Sequence, residues 1–231
     1  MARFAFIFGL AALFASLGAG HCFAAKSART RQDVHAPGGT IAIDGIAARI
    51  EDDIITESQL RELAAFQILV DGRAKSRAEL IRELADQWIV RGEASAAKFE
   101  QPSNEDVDHA IAELENQFSS PAEFEKRRAA AGISQAAVRR LVAQQLYLSR
   151  FLDFRFRPAA DVSPEQVRDY YDREFAPQLQ ARGEKVPPLE SVQDTIREVL
   201  VQRAIDSRAR QWLDETRKGL KIDVIPDGEA P

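Results

Sequence analysis

The chain has 231 residues, 45% of them hydrophobic and 29% charged, with 31 basic side chains set against 36 acidic ones. A single cysteine, Cys22, excludes a disulfide scaffold or a cysteine-based zinc site, and three histidines (His21, His35 and His109) are a poor stock for a metalloenzyme or a histidine-triad hydrolase. The formal net charge of -5 argues against nucleic acid, whose binders carry a basic stripe.

Arg3 precedes an uncharged run from Phe4 to Leu17, after which Gly18, Ala19 and Gly20 loosen the chain before Cys22-Phe23-Ala24. A positive start, a short apolar run and a small-x-small tripeptide predict a secretory signal peptide over 1–25, cleaved after Ala24 or Ala25. The apolar run falls short of the ~20 residues that a membrane-crossing helix needs. His21, where a small residue should stand, argues against lipidation of Cys22. Residues 26–39 are polar, small and punctuated by Pro and Gly, which predicts a flexible leader.

The stretch Thr40 to Thr56 is the strand-like part of the N-terminal half. Asp44-Gly45 and Glu51-Asp52-Asp53 are candidate turns, so strands are expected at 46–50 and 53–56, with 40–43 extending the first. Thr56 with Gln59 three residues on has the spacing of a capping box. A helix is expected from there to Gly72, with Leu60, Leu63, Ala64 and Gln67 on its inner face. A second helix is predicted from Ser76 to Lys98, with Ile81, Leu84, Trp88, Ser95 and Phe99 on one side. A third begins at the cap Ser103 with the stripe Val107, Ala110, Ile111, Leu114 and Phe118. Ser120-Pro121 opens a short fourth helix that ends before Gly132. The fifth runs from Ser134 through Val138, Leu141, Val142, Leu146 and Leu152, fading between Phe151 and Arg157. Ser163-Pro164-Glu165 opens a sixth, which carries Tyr170, Tyr171 and Phe175 and is closed by Pro177. Residues 178–188 read as a loop. The last helix spans Leu189 to Lys218, stops at Gly219 and is followed by a strand at 221–225.

A strand that short is not stable alone, nor is an isolated hairpin. Pairing of the two is therefore expected, making one discontinuous, mainly α domain over 40–226. Its parts would be a core at 40–157, a connecting helix at 163–176 and a returning helix and strand at 189–225, with a small β-sheet holding the ends.

The segment Ala47-Ala48-Arg49-Ile50-Glu51-Asp52-Asp53-Ile54-Ile55-Thr56-Glu57-Ser58-Gln59-Leu60 resembles the start of SurA-type periplasmic chaperones. The likeness continues through Leu80 to Ile89, Ser103 to Leu114 and Val138 to Phe156, and in Trp212-Leu213 ahead of Leu220-Lys221-Ile222. It covers about 40–225, by pattern more than by an invariant signature. Members of that family commonly carry parvulin-type prolyl isomerase domains between the sixth and last helices. Here only residues 176–188 are available, and the histidines of such a site are missing. What the resemblance implies is a non-enzymatic, ATP-independent periplasmic holdase for unfolded polypeptides, with outer-membrane protein precursors as clients. No cofactor, nucleic acid or stable membrane anchor is expected, and no G-x-x-x-x-G-K-[ST] loop occurs. An adaptor for one folded partner, and an isomerase with an unrecognised catalytic domain, are the alternatives.

Such a holder needs apolar surface in a charged frame. The candidate peptide-binding residues are Tyr147, Phe151, Phe154, Phe156, Tyr170, Tyr171 and Phe175, although Phe151 and Phe154 also suit a core. Arginine makes up 24 of the 31 basic residues and supplies planes that can stack on client aromatics. Trp88 and Trp212 read as core anchors, and His109 with Asp108 and Glu105 as a solvated helix face. Glu51-Asp52-Asp53 reads as a turn, since it lacks the spaced ligands of a calcium loop. Ser134 and Ser163 read as helix caps.

Overall fold

The computed structural model describes residues 44–226. The expected signal peptide and leader, with Cys22, His21 and His35, and the expected extension at 40–43 lie outside the described residues.

From Gly45 onward the chain forms one compact unit of helices around a small antiparallel sheet. Strand β1 (Ile46–Ile50) is the middle strand, with β2 (Asp53–Thr56) on one side and β3 (Ile222–Val224) on the other. Ala48 stands opposite Ile55 in β2 and Val224 in β3, so residues 176 apart in sequence share one ladder. The expected pairing of hairpin and C-terminal strand is therefore present. Ile50 and Ala48 turn to the interior and are fully buried, whereas Arg49 is exposed.

The tip of the hairpin does more than turn the chain. Glu51 sits at φ 50°, a left-handed conformation that costs a non-glycine residue roughly 1–2 kcal/mol. The strain is offset by two bonds to Lys221: the Glu51 N–H donates to the Lys221 carbonyl (3.0 Å) and Glu51 Oε1 accepts from the Lys221 N–H (2.7 Å). Arg77 makes a second tie. It grips the Glu57 carboxylate with both terminal nitrogens (2.9 and 2.6 Å) and donates to the Ile225 carbonyl at 3.1 Å. Asp44-Gly45 makes a tie as well: the Gly45 carbonyl accepts from the Glu57 N–H at 2.8 Å.

The helices are α1 (Glu57–Asp71), α2 (Arg77–Ala96), α3 (Asn104–Glu115), α4 (Pro121–Ala130), α5 (Gln135–Phe156), α6 (Pro164–Tyr170), α7 (Ala176–Ala181) and α8 (Leu189–Lys218). Their starts follow local chemistry. Thr56, Ser76, Ser103 and Ser163 each form a capping box, and Ser120 and Ser134 accept a backbone N–H as single caps. Gly72 ends α1 in the left-handed conformation, at φ 75°, with its N–H on the Ile68 carbonyl.

Helix α2 lies at the centre, touched by α1, α5, α8 and the hairpin. Its buried residues are Leu80, Ile81, Glu83, Ala85, Gln87, Ile89, Val90 and Ala94. The stripe expected from sequence is only partly right: Ile81 is buried, Leu84 and Trp88 are half-buried, and Ser95 is exposed. A helix with neighbours on several sides buries more than one stripe, so a single period underreads it. Around α2 are packed Leu63 and Leu69 of α1, Val142, Leu148 and Phe151 of α5, and Ile205 of α8. Each such side chain stabilises the fold by roughly 1.5–3 kcal/mol.

Two boundaries differ from expectation. Helix α5 does not fade at Phe151 but runs to Phe156, before a 3-10 turn at Arg157–Ala159. Pro177 does not close the sixth helix. The turn before it widens into a π turn (Tyr171–Phe175), in which the Ala176 N–H reaches back five residues to the Tyr171 carbonyl, and helix resumes as α7. Proline has no N–H to give and crowds the carbonyl four residues back; the wider turn accommodates both defects. The loop expected at 178–188 is therefore shorter, beginning after Ala181.

Candidate functional site

The seven candidate aromatics do not form one surface. Tyr147 and Phe151 lie on the inner side of α5, 5% and 2% exposed, and belong to the core rather than to any binding face. Both meet Phe99, which follows α2, with ring centroids 5.9 and 5.5 Å away, and the Tyr147 hydroxyl donates to the Phe99 carbonyl at 3.4 Å. Phe154 is three residues beyond Phe151 on the outer rim of the same cluster. It touches Phe99 at 5.4 Å and is 63% exposed. Phe154 is the most accessible of the seven, the other six being buried or half-buried.

Phe156 faces α8. Its ring lies 5.8 Å from that of Trp212, and the Arg155 guanidinium covers both, 4.8 Å from the Trp212 ring and 5.7 Å from the Phe156 ring. Arg155 also pairs with Glu93 of α2 at 3.2 Å, so it joins three helices. Trp212 and Trp88 are half-buried rather than core anchors. Trp88 earns its partial exposure through its indole N–H, which donates to Asp53 Oδ2 at 2.7 Å.

The other three aromatics belong to an arm made of α6, the π turn, α7, the loop and the first half of α8. Helix α6 rests against α8. Tyr171 stacks on Phe175 at 5.9 Å and donates its hydroxyl to the Pro187 carbonyl at 2.8 Å, tying the π turn to the loop. The Arg203 guanidinium lies 4.7 Å from the Tyr170 ring while pairing with Glu174 at 2.9 Å. From Asp161 to Ala204 only Val167 and Ile196 are buried. Tyr170, Tyr171, Phe175, Leu179, Leu189, Val192, Val199 and Leu200 are all half-buried. The base of the arm is fixed by charge: Arg157 binds Asp153 (2.7 Å) and Glu198 (2.8 Å), and Gln202 donates to both acids at 3.1 Å.

Arginine does stack on aromatic rings, but here the rings are the protein's own. Arg155, Arg203 and Arg127 cover Trp212, Tyr170 and Phe118.

The sequence reading missed a polar seam inside the body. Gln67 donates to Glu83 Oε2 at 3.0 Å, the Lys75 ammonium reaches the same oxygen at 2.7 Å, and the Lys75 N–H donates to Gln67 Oε1 at 2.9 Å. One turn on, Gln87 Oε1 accepts from Gln144 of α5 at 2.9 Å. Burial pushes the Glu83 carboxyl above the usual range, against the pull of Lys75. Asp206 in α8 is pushed up to about 7 by burial, opposed by Arg210. On the outside the sign reverses: the Arg150 guanidinium and the Ser103 cap hold Asp106 well below the usual carboxylate range. The four-residue spacing from Glu83 to Gln87, within an otherwise apolar face, was the available signal for the seam.

His109 is exposed on α3, 3.7 Å from Glu113, as a solvated helix face should be. Glu51 and Asp53 are bound to Lys221 and Trp88, consistent with a turn. Among the described residues no group of three or more His, Cys, Asp or Glu side chains could hold a metal ion, and no helix is long and apolar enough to cross a membrane. A scan against protein-family models finds no match, and a search of curated proteins finds none either.

Proposed function

We propose that this chain is an exported, ATP-independent holdase that binds unfolded polypeptides in the periplasm, with outer-membrane protein precursors as the client class. The observation that carries the reading is the arm: a run from Asp161 to Ala204 in which aromatic and aliphatic side chains are plentiful and almost none is buried. A folded domain gains nothing from leaving so many apolar groups half in water, and apolar surface framed by charge marks an interaction site. Phe154, 63% exposed beside Phe99, offers a second apolar contact point at the end of α5. Contacts of this kind are individually weak and need no fixed sequence in the partner. They let a client with alternating apolar and aromatic residues bind at several points and leave when its own fold buries them. The reading assigns no bond-making step to the protein. The resemblance to SurA-type chaperones and the signal-peptide pattern supply the compartment.

Light scattering tests the proposal. Several denatured outer-membrane β-barrel proteins, diluted into buffer without nucleotide, should aggregate more slowly at near-equimolar amounts of this protein. Protection of none of them favours the adaptor for a single folded partner.

A further inference from the structure

Two carboxylate oxygens among the described residues are buried without a hydrogen-bond donor, Glu83 Oε1 and Asp86 Oδ1. Glu83 is enclosed in the polar seam. Asp86 instead lies where α2 meets the last turn of α8. Arg217 Nε approaches Asp86 Oδ1 to 2.9 Å, yet its N–H is directed to the Leu213 carbonyl at 3.3 Å, so the contact is an attraction of charges without a hydrogen bond. Arg217 also pairs with Asp214, and Asp214 pairs with Arg82 at 2.8 Å. The four side chains form a square joined by ion pairs on three sides, in which α2 and α8 each contribute one acid and one base. Its outer edge, Arg82 with Asp214, is at least half exposed, while Arg217 and Asp86 on the inner edge are 15% and 26% exposed.

The position of the square gives it leverage. Gly219 ends α8 two residues after Arg217, and Lys221 is already bonded to the hairpin tip. Whatever seats the last turn of α8 therefore seats β3.

We propose that Asp86 against Arg217 is a proton-operated latch that sets how firmly the C-terminal end of α8, and with it β3, is held to the body. Burial lifts the Asp86 carboxyl to about 6, and Asp214 and Glu83 push the same way, while Arg217 and Arg82 pull down. Other charged groups that meet α2 are engaged elsewhere: Lys75 on Glu83, Arg155 of α5 on Glu93, and Asp53 of the hairpin through a hydrogen bond from the Trp88 indole. Undocking the helix end returns Asp86 to water, which lowers its affinity for a proton, and takes Arg217 away, which raises it; burial is the larger of the two effects, so the affinity falls toward the ordinary carboxylate value near 4. The docked state then holds the proton more tightly than the undocked one. Docking is strongest below about pH 4 and weakens as the pH rises through about 6. Mild acid tightens the clasp, and neutral pH loosens it.

Amide hydrogen exchange of Asp223 and Ile225 in the full chain, corrected for intrinsic rates between pH 5 and 8, tests this. Protection should fall about tenfold from pH 5 to pH 7.5, a fraction of the ~100-fold that a two-unit shift allows. Asp86→Asn should flatten the profile, and Asp206→Asn, which removes the other raised acid of α8, should leave the slope as in the wild type. A carbon-13 titration of Asp86 in the unaltered chain gives a reading that needs no variant to fold, with a midpoint near 6 expected. A wild-type slope in Asp86→Asn, protection that rises with pH, or a midpoint below about 4.5 would overturn the latch.

Discussion

The body around α2 and the arm that leaves it are built from similar residues and bury them very differently. In α2 alone eight side chains are buried, and Phe151, Leu63, Leu69 and Ile205 close around it. In the arm, Tyr171, Phe175, Val192 and Leu200 are equally apolar but remain half in water, where α6 packs on the π turn and on α8. The difference lies in the number of neighbours, not in composition. The body buries its apolar side chains; the arm leaves most of its own half exposed.

The comparison predicts a graded set of outcomes. Phe151→Ala removes a ring from the centre of the body and should destabilise the protein by about 3–5 kcal/mol, measured by urea unfolding. A cost under about 1 kcal/mol would mean that the body is not close-packed there. Lys75→Met leaves Glu83 without its cation and should lower stability by about 1–3 kcal/mol. Because the Glu83 carboxyl is raised in the folded state, that loss should grow as the pH rises, and Glu83→Gln in the same background should recover most of it. Ser103→Ala removes the cap of α3 and should cost about 1 kcal/mol by thermal unfolding. Phe154→Ser should leave stability within about 0.5 kcal/mol while reducing protection of a denatured client. A large loss of stability there would move Phe154 from the binding surface to the core.

Much of the body was legible in the sequence because its signals are local. Thr56 with Gln59, Ser120 with Pro121, and Gly72 each fix an end within a few residues, and the short apolar runs of 46–56, parted by Glu51-Asp52-Asp53, mark the hairpin. The return of β3 followed from the instability of short strands on their own. What was illegible depends on partners distant in the chain. Nothing near Glu51 shows that its carboxylate will bind the Lys221 N–H. Burial of Glu83 and Gln87 follows from the presence of α1, α5 and Lys75, not from their own neighbours in sequence. Tyr147, Phe151 and Phe154 all meet Phe99, which stands outside any helix, and only their places on the inner side or the rim of α5 separate the two covered rings from the open one. Pro177 carries a strong stop signal, which the π turn overrides.

The central claim, that the arm and the exposed end of α5 take the client while the rest of the surface does not, is tested most directly by site-specific photo-crosslinking. A photoreactive residue placed at Tyr171 or Phe154 should capture a denatured outer-membrane β-barrel protein, and one placed at the exposed His109 on α3 should not. Capture from His109 as strong as from Tyr171 and Phe154, or from none of the three, would contradict it.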